Sequence, residues 1–279
     1  MFAIVHKRQL SESVFEMGVH APQIARKVRA GQFLMLRVNE RGERIPLTFS
    51  DWSADEGWIR FIFMRVGKTT HLLSHLEVGD ALADVVGPLG VPTHTEGLGR
   101  VAVVGGGVGT AVAYPVARAM LEAGNEVTAI VGARTKDLLI LIEEFEALPL
   151  AKLMVVTDDG SAGEKGLVTA PLARLCDAGA IDHAMAIGPA IMMKFCAQTT
   201  KERGVPCTVS LNPIMVDGTG MCGACRVTVG GETKFGCVDG PDFDGHLVDF
   251  EELMSRQRVY ADLEREADAE FSKECSCRL

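Results

Sequence analysis

Val101-Ala102-Val103-Val104-Gly105-Gly106-Gly107-Val108-Gly109-Thr110 is the stretch that decides the fold, because an apolar run passes at once into a cluster of glycines. The apolar run predicts a strand that is buried on both faces. The glycines predict a tight turn that opens a helix, where backbone N–H groups can bind the phosphates of a nucleotide. The spacing is G-x-G-x-G and lacks the full G-x-G-x-x-G fingerprint, so a purely structural turn is the alternative interpretation.

Downstream of this turn, strands and helices alternate along the chain. Apolar strands are predicted at Glu126 to Val131, Leu153 to Thr157 and Ala184 to Ile187, with helices between and after them, among them one from about Lys136 to Ala147. This alternation is typical of a doubly wound parallel sheet in an α/β domain. Ligands of such sheets bind beyond the carboxyl ends of the strands. We therefore expect one crevice to be lined by residues that follow the strands: Gly107, Gly109, Thr110, Arg134, Asp158, Asp159, Gly188, Pro189 and Met192.

Upstream of the glycine turn, the chain has the pattern of β structure. Short runs such as Phe33 to Val38 and Trp58 to Met64 are separated by polar or Gly/Asp-rich turns. These runs predict a small antiparallel barrel. Two segments of the barrel region, Arg44 to Ser50 and Arg65 to Thr70, combine a cation with hydroxyl groups, and the second adds a glycine. The combination suits phosphate binding, although a polar edge strand would also have it.

A cysteine cluster follows the α/β region. Cys222 and Cys225 lie in a glycine-rich loop, and Cys237 follows a predicted hairpin. Asp217 stands four residues before Cys222, so the loop has the plant-type 2Fe-2S spacing with an aspartate in the first ligand position. Three alternatives stay open: zinc with Cys275 or Cys277 as fourth ligand, a structural cysteine loop, or a cluster whose fourth donor is Cys207 or a tail cysteine.

Composition and charge exclude several classes of protein. With 28 Lys and Arg against 37 Asp and Glu, the formal charge is −9, which argues against a nucleic-acid surface. No secretory signal opens the chain and no stretch is apolar enough for a membrane span. We therefore expect a soluble cytoplasmic protein without a disulfide framework. Cys176, Cys196 and Cys207 lie in apolar segments and are interpreted as ordinary buried thiols.

Together these segments resemble the ferredoxin-reductase-like flavoproteins over nearly the whole chain, with Gly87-Pro88-Leu89-Gly90 matching the family's link between barrel and nucleotide domain. The stretch from Leu211 to Cys225 is the most specific. It is similar to the electron-transfer subunits of dihydroorotate dehydrogenase. It is still more similar to the small subunits of NADH-dependent reduced ferredoxin:NADP oxidoreductases, also described as sulfide dehydrogenase beta subunits. The dihydroorotate relatives have four cysteine ligands, so Asp217 favours the second group.

The resemblance implies FAD in the barrel, NAD(H) in the α/β domain and a 2Fe-2S cluster in the C-terminal loop. It implies hydride exchange between NAD(H) and FAD, followed by single-electron transfer to or from the cluster. Many relatives have a cysteine before the Gly-Pro that faces the nicotinamide, whereas this chain has Ile187, which puts a thiol role in doubt. The implied FAD-binding residues are Arg44, Pro46, Leu47, Thr48, Met64, Arg65, Val66, Gly67, Thr69 and Thr70. The implied NAD-binding residues are those of the crevice, and the implied metal ligands are Asp217, Cys222, Cys225 and Cys237.

The resemblance also implies a heterodimer. Its larger subunit would carry its own FAD and 4Fe-4S clusters, bind NADP(H) and split electrons between ferredoxin and NAD. This chain would be the NAD-side arm, and its acidic tail with Cys275 and Cys277 would pack on that subunit or be an idle solvated helix. Two alternative functions are an electron-transfer subunit for dihydroorotate dehydrogenase or a hydrogenase, and a zinc-stabilised nucleotide-binding module without redox activity.

The predicted architecture is a β-barrel plus an α/β domain with a small iron–sulfur loop. Residues 1–95 form the flavin-binding barrel, residues 96–215 form the nucleotide domain, and residues 216–279 form the cluster loop and a helical tail. We expect NAD(H) rather than NADP(H), although Arg134 at the end of the second strand could meet a 2′-phosphate.

Overall fold

The structure is a computed structural model that describes the backbone of residues 1–276 and the side chains of residues 1–271. Its first part is a seven-stranded antiparallel sheet, nearly closed into a barrel, with strand order β6-β1-β2-β5-β4-β3-β7. Large apolar side chains such as Met17, Phe49 and Phe61 fill the interior. The elements are β1 Phe2–Gln9, β2 Val14–His20, α1 Pro22–Ala25, β3 Phe33–Arg37, β4 Arg44–Ser53, β5 Trp58–Met64, α2 Lys68–Ser74, β6 Ala81–Leu82 and β7 Asp84–Leu89.

The second part is a seven-stranded sheet with order β11-β10-β9-β8-β12-β13-β16, flanked by helices. All its neighbouring strands pair in parallel except β16, which pairs antiparallel to β13. The predicted antiparallel barrel and doubly wound parallel sheet are thus confirmed. The elements are β8 Arg100–Gly106, α3 Thr110–Glu122, β9 Glu126–Ala133, α4 Ile142–Glu146, β10 Lys152–Thr157, β11 Glu164–Lys165, α5 Thr169–Asp177, β12 His183–Ile187, α6 Ala190–Lys201, β13 Cys207–Ser210, β14 Arg226–Val229, β15 Glu232–Phe235 and β16 Asp242–Asp244.

The order of strands in the parallel sheet reverses between β8 and β12, which lie side by side. A crevice forms at such a switch point, beyond the carboxyl ends of the two strands. The loops that follow these strands approach each other so closely that a Cβ on Gly109 would lie 2.5 Å from the carbonyl oxygen of Ile187 and 2.6 Å from the Cα of Gly188. Glycine at position 109 is therefore required by close backbone approach.

The cysteine loop is an excursion between β13 and β16, with the antiparallel hairpin β14–β15 at its centre. It packs directly on the barrel, because a Cβ on Gly218 would lie 2.7 Å from Cγ of Met35. The backbone N–H of Val91 donates to the carbonyl of Gly240 over 2.7 Å. The segment predicted to form the cluster loop and tail, residues 216–279, also returns one strand, β16, to the nucleotide sheet. The predicted domain boundaries near residues 95 and 215 stay predictions.

Two helices end the described chain: α7 Phe250–Gln257 and α8 Ala261–Ser276. Asp249 caps α7 by accepting a hydrogen bond from the N–H of Glu252 over 2.9 Å. The second helix, α8, returns to the barrel and packs on α2. No helix of the described part is long and apolar enough to span a membrane. The Cys275 side chain and all of Cys277 lie outside the described residues, so the predictions for them stay open.

One predicted helix is shorter than expected. The sequence predicts a helix from Lys136 to Ala147, whereas the structure has a 3₁₀ turn at Lys136–Leu138 and then α4. Leu141 separates the two with a φ of 59°, a conformation that interrupts helical hydrogen bonding. A local apolar pattern does not predict this interruption.

Candidate functional site

A cleft of about 940 Å³ lies between the barrel and the carboxyl ends of the parallel strands. The barrel contributes residues of β2, β3, β4 and β5, and the sheet contributes the segments that follow β8, β9, β10, β12 and β13. Much of its wall is apolar, with Phe33, Leu47, Ile62 and Val112 among the lining side chains. A cleft of this size with apolar walls and few polar groups suits flat aromatic rings. Its location is the crevice that the strand pattern predicts.

Most of the residues predicted to bind NAD lie together at this cleft. Those that line it are Gly107, Gly109, Arg134, Asp158, Gly188, Pro189 and Met192. Thr110 is fully buried at the first residue of α3, and its hydroxyl has no hydrogen-bond partner among the described residues. Asp159 does not line the cleft. The start of α3 lies at the cleft, because Gly109, Ala111 and Val112 line it, and the free N–H groups of a helix start can bind an anionic phosphate.

The loops after β9 and β10 are bound to each other by hydrogen bonds. Ser161 Oγ accepts from the N–H of Lys136 over 2.8 Å and donates to Asp159 over 2.6 Å. The side chain and backbone of Ser161 both donate to Asp159 and so lower the pKa of its carboxyl. Asp159 thus shapes the loop in ionised form, which leaves Asp158 and Arg134 as the charged side chains of this region that line the cleft.

The residues predicted to bind FAD divide into two groups. Pro46, Leu47, Thr48, Met64 and Val66 line the cleft. Arg44, Arg65, Gly67, Thr69 and Thr70 do not line it.

Several of the second group are engaged elsewhere in the barrel. Arg44 forms an ion pair of 2.9 Å with Asp84, and the hydroxyl of Thr69 donates to Glu43 over 3.2 Å. Thr70 Oγ1 accepts from the N–H groups of Val66 and Gly67 over 3.0 and 3.1 Å. Thr70 therefore shapes the start of α2 and holds the loop that leads into the cleft.

The cysteine loop gathers part of the predicted metal-binding set. Cys225 and Cys237 are buried with their Sγ atoms 3.2 Å apart, too far for a disulfide bond. Burial and the neighbouring Cys225 sulfur raise the pKa of the Cys237 thiol to about 12. Metal binding to a thiol releases its proton, so metal binding at this sulfur would depend on pH.

The other two predicted ligands lie on the outer part of the same loop. Asp217 accepts hydrogen bonds from the N–H of Thr219 over 2.6 Å and from that of Cys222 over 3.0 Å. These bonds lower the pKa of Asp217, the largest contribution coming from Thr219, so its carboxylate is ionised. The Cys222 side chain is exposed. Within the described residues, no three His, Cys, Asp or Glu side chains are already assembled around a common point. The donor set of three thiols and one carboxylate nevertheless fits an iron–sulfur cluster in its chemistry.

Several residues of the cleft were not predicted from the sequence. Phe33, Pro213 and Met215 line it together with the segment from Gly166 to Thr169. The last segment leads into α5, and a strand–loop–helix pattern could have found it. Phe33 and Met215 are buried apolar residues, and no pattern in the sequence distinguishes them from other core residues.

Two family models match the chain. An oxidoreductase NAD-binding domain matches residues 103–198, which include the glycine turn and the loop after β12. The iron–sulfur cluster binding domain of dihydroorotate dehydrogenase B matches residues 212–249, which include Asp217, Cys222, Cys225 and Cys237.

Curated relatives match the chain over most of its length. An electron transfer subunit homolog of dihydroorotate dehydrogenase B (NAD(+)) from Thermotoga maritima is 52% identical over 270 residues, which cover 97% of this chain and 95% of the relative. The electron transfer subunit from Geobacillus thermodenitrificans is 32% identical over 86% of this chain and 94% of its own length.

Solved structures agree with this relationship. A chain of the NADH-dependent reduced ferredoxin-NADP oxidoreductase structure, described for its insights into flavin-based electron bifurcation, superposes with a TM-score of 0.91. It is 50% identical and covers 97% of this chain and 98% of its own. The cytochrome b5 reductase domain of Ulva prolifera nitrate reductase shares the fold alone, at 20% identity and a TM-score of 0.59 over 73% of this chain and 92% of its own.

The chain is therefore related to these proteins by sequence identity over nearly its whole length. Family models also match its nucleotide region and its cluster region. FAD, NAD(H) and an iron–sulfur cluster are the cofactors of this arrangement, and the relatives are subunits that work with a partner. The chain belongs to the family of dihydroorotate dehydrogenase B electron-transfer subunits and their homologues, and it is an NAD-dependent flavin and iron–sulfur oxidoreductase subunit.

Proposed function

We propose that this chain exchanges hydride between NAD(H) and FAD in the central cleft and transfers single electrons between FAD and a 2Fe-2S cluster. In this function it is the NAD-side arm of an electron-bifurcating ferredoxin:NADP oxidoreductase. The observation that carries the proposal is the shared cleft, in which Thr48 of the barrel and the loops of Gly107 and Gly188 face one space. Stacked rings within that space need no acid or base from the protein, because the cofactors supply the redox chemistry and the chain orients them.

The flavin would be held by the barrel residues of the cleft. Thr48 lines the cleft and would offer its hydroxyl to the flavin ring, and Pro46 and Leu47, which also line the cleft, would form an apolar support for the ring. Arg44 would bind the flavin phosphates after leaving its partly exposed ion pair with Asp84. An exposed pair of this kind contributes only about 0–1 kcal/mol, so the exchange is energetically accessible. Arg65, Gly67, Thr69 and Thr70 would hold the rest of the FAD from the start of α2.

The cluster would be held by Asp217, Cys222, Cys225 and Cys237. Their spacing, the two adjacent buried sulfurs and the ionised carboxylate of the same loop support this assignment. Asp217 in place of a fourth cysteine favours the bifurcating oxidoreductase over the dihydroorotate dehydrogenase subunit, which remains the second candidate because several relatives have that name. The cluster supplies one-electron steps that complement the two-electron chemistry of NAD(H).

The preference for NAD(H) over NADP(H) would come from Asp158. Arg134 and Asp158 both line the cleft, so a 2′-phosphate attracted by the arginine would also face the aspartate. Like charges brought together in a cleft repel each other. We expect Asp158→Asn to lower the ratio of the NADH to the NADPH rate in stopped-flow flavin reduction. Asp137→Asn, which removes an exposed carboxylate outside the cleft lining, is the matched control and should leave the ratio unchanged. Faster flavin reduction by NADPH in the parent protein would contradict the assignment.

The partner would be a larger subunit with its own FAD and 4Fe-4S clusters that binds NADP(H) and passes electrons to ferredoxin. We place the pair in the cytoplasm, where the free thiols of Cys176, Cys196 and Cys207 would stay reduced. Anaerobic purification from the native host tests the proposal through subunit, flavin and metal analysis. A colourless chain that contains zinc instead of iron would refute it, and a dihydroorotate dehydrogenase or a hydrogenase as the co-purifying subunit would favour that alternative.

A further inference from the structure

The two buried cysteines lie in a small apolar cluster of their own. Cys225 and Cys237 pack with Phe33, Met35 and Met215, each of which is at most 9% exposed. Leu89 and Phe235 pack against this cluster from outside. The cluster therefore joins side chains of the barrel strand β3 to side chains of the cysteine loop.

Phe33 and Met215 belong to the apolar cluster and also line the central cleft. Pro213 lines the cleft as well, and its Cγ lies 2.8 Å from the position of a Cβ on Gly236, the residue before Cys237. Phe33 and Met215 therefore belong both to the lining of the cleft and to the cluster that contains the two sulfurs, and Pro213 packs beside the residue that precedes Cys237. We call Phe33, Pro213 and Met215 the partition.

Close packing holds the cysteine loop against the barrel beside the partition. A Cβ on Gly90 would lie 2.9 Å from the Phe33 ring. A Cβ on Gly218 of the cysteine loop would lie 2.7 Å from Met35 of β3. Both glycines have φ near 80°, a conformation that other residues rarely adopt. Barrel and cysteine loop therefore pack in close contact at Gly90 and Gly218, beside the partition residue Phe33 and its neighbour Met35.

The partition is also chemically simple. A phenyl ring, a proline ring and a thioether have no hydrogen-bond donor to offer the Cys225 and Cys237 sulfurs. The potential of an iron–sulfur cluster depends on hydrogen bonds to its sulfurs and on its exposure to solvent. Met215 is the flexible member, and a flexible thioether can fill an irregular gap between two ligands.

We propose that Met215 is a positioning residue that acts through the cysteine sulfurs, keeping their cleft side dry and free of hydrogen-bond donors so that the cluster potential stays low. This inference rests on the proposed function, because it requires a cluster at Cys225 and Cys237. It goes further by assigning to one apolar side chain the control of the cluster potential from the flavin side.

The test is an anaerobic EPR-monitored redox titration of the full chain with its cofactors. Met215→Gln has nearly the same shape but places an amide donor within the side-chain cluster that contains the sulfurs, so we expect the cluster midpoint to shift to a more positive potential. Met215→Leu conserves volume and apolar character and should keep the parent midpoint. The flavin midpoint is measured in the same samples.

Each outcome decides the question. A Met215→Gln midpoint equal to that of the parent, an equal shift in Met215→Leu, or a shift of the flavin midpoint alone would overturn the proposal. If Met215→Gln does not retain iron, Met215→Ala takes its place, because water can then reach the sulfurs and should shift the midpoint in the same direction. An unchanged midpoint in Met215→Ala overturns the proposal. Failure of the parent chain to bind a cluster would instead refute the proposed function.

Discussion

At the scale of single residues, Asp217 is the most informative position in the chain. Its ionised carboxylate accepts hydrogen bonds from the backbone N–H groups of Thr219 and Cys222, at the start of the cysteine loop. If Asp217 ligates iron, Asp217→Cys replaces a hard oxygen ligand by a soft thiolate. We expect a changed EPR spectrum and a changed cluster midpoint, with flavin content and NADH-driven flavin reduction retained.

The control for this prediction is Asp239→Asn. Asp239 also accepts a backbone N–H in the same region, that of Phe235 over 2.6 Å, but it does not occupy the ligand spacing. Asp239→Asn should keep the parent spectrum. Identical EPR spectra and midpoints in Asp217→Cys and the parent would remove Asp217 from the coordination of the iron.

A second residue, Asp242, gives a pH dependence with a defined sign. Burial raises the pKa of its carboxyl from 3.8 to about 6, against hydrogen bonds from Thr93 and Ser210. Below pH 4 the carboxyl is protonated in both the folded and the unfolded chain, so it does not change the free energy of unfolding with pH. Between pH 4 and 6 the unfolded chain ionises first and stability falls as the pH rises. Above pH 6 the carboxyl is ionised in both states, and its burial lowers the free energy of unfolding by about 3 kcal/mol.

Asp242→Asn tests this pH dependence. The amide oxygen can still accept from Thr93, so the variant should be more stable than the parent at pH 7 and equally stable near pH 4. Urea denaturation at several pH values measures the difference. Asp244→Asn, an exposed neighbour on β16, is the control and should follow the parent. A difference between Asp242→Asn and the parent that does not vary with pH would contradict the assignment.

At the scale of elements, the turn between β8 and α3 depends on one close contact. A Cβ on Gly109 would overlap the backbone of Ile187 and Gly188, whereas a Cβ on Gly107 has no atom within 4 Å. Gly109→Ala must therefore separate two loops of the cleft, and we expect roughly a 10²-fold loss in the rate of flavin reduction by NADH. Gly107→Ala only places alanine at a φ of 54°, a strain of about 1–2 kcal/mol, and should lose far less. Equal losses in the two variants would contradict this account.

At the scale of the whole molecule, the sequence predicts what is local. The glycine turn, the alternation of strands and helices and the cysteine spacing each lie within a short stretch, and the fold and the cleft follow from them. No pattern of residue types in the sequence indicated which distant segments would come into contact. Gly218 packs on Met35, β16 returns to pair with β13, and Arg44 is held by Asp84 across two strands. A pattern of residue types does not specify which distant surface will cover it, so the partition could not be predicted.

A further contact between distant segments joins the end of the described chain to α2, the helix that follows the proposed flavin segment of the barrel. The Phe271 ring of α8 meets the His71 ring of α2 at 6.3 Å, and Asp268 lies 3.6 Å from the same imidazole. Because α2 directly follows Gly67 of the proposed flavin segment, looser packing of α8 should weaken FAD retention. An aromatic contact is worth about 1 kcal/mol, so Phe271→Ala should increase FAD loss on desalting roughly fivefold. Leu263→Ala changes an exposed residue of the same helix and should leave FAD retention unchanged. Equal FAD retention in Phe271→Ala and the parent would mean that α8 does not support the flavin site.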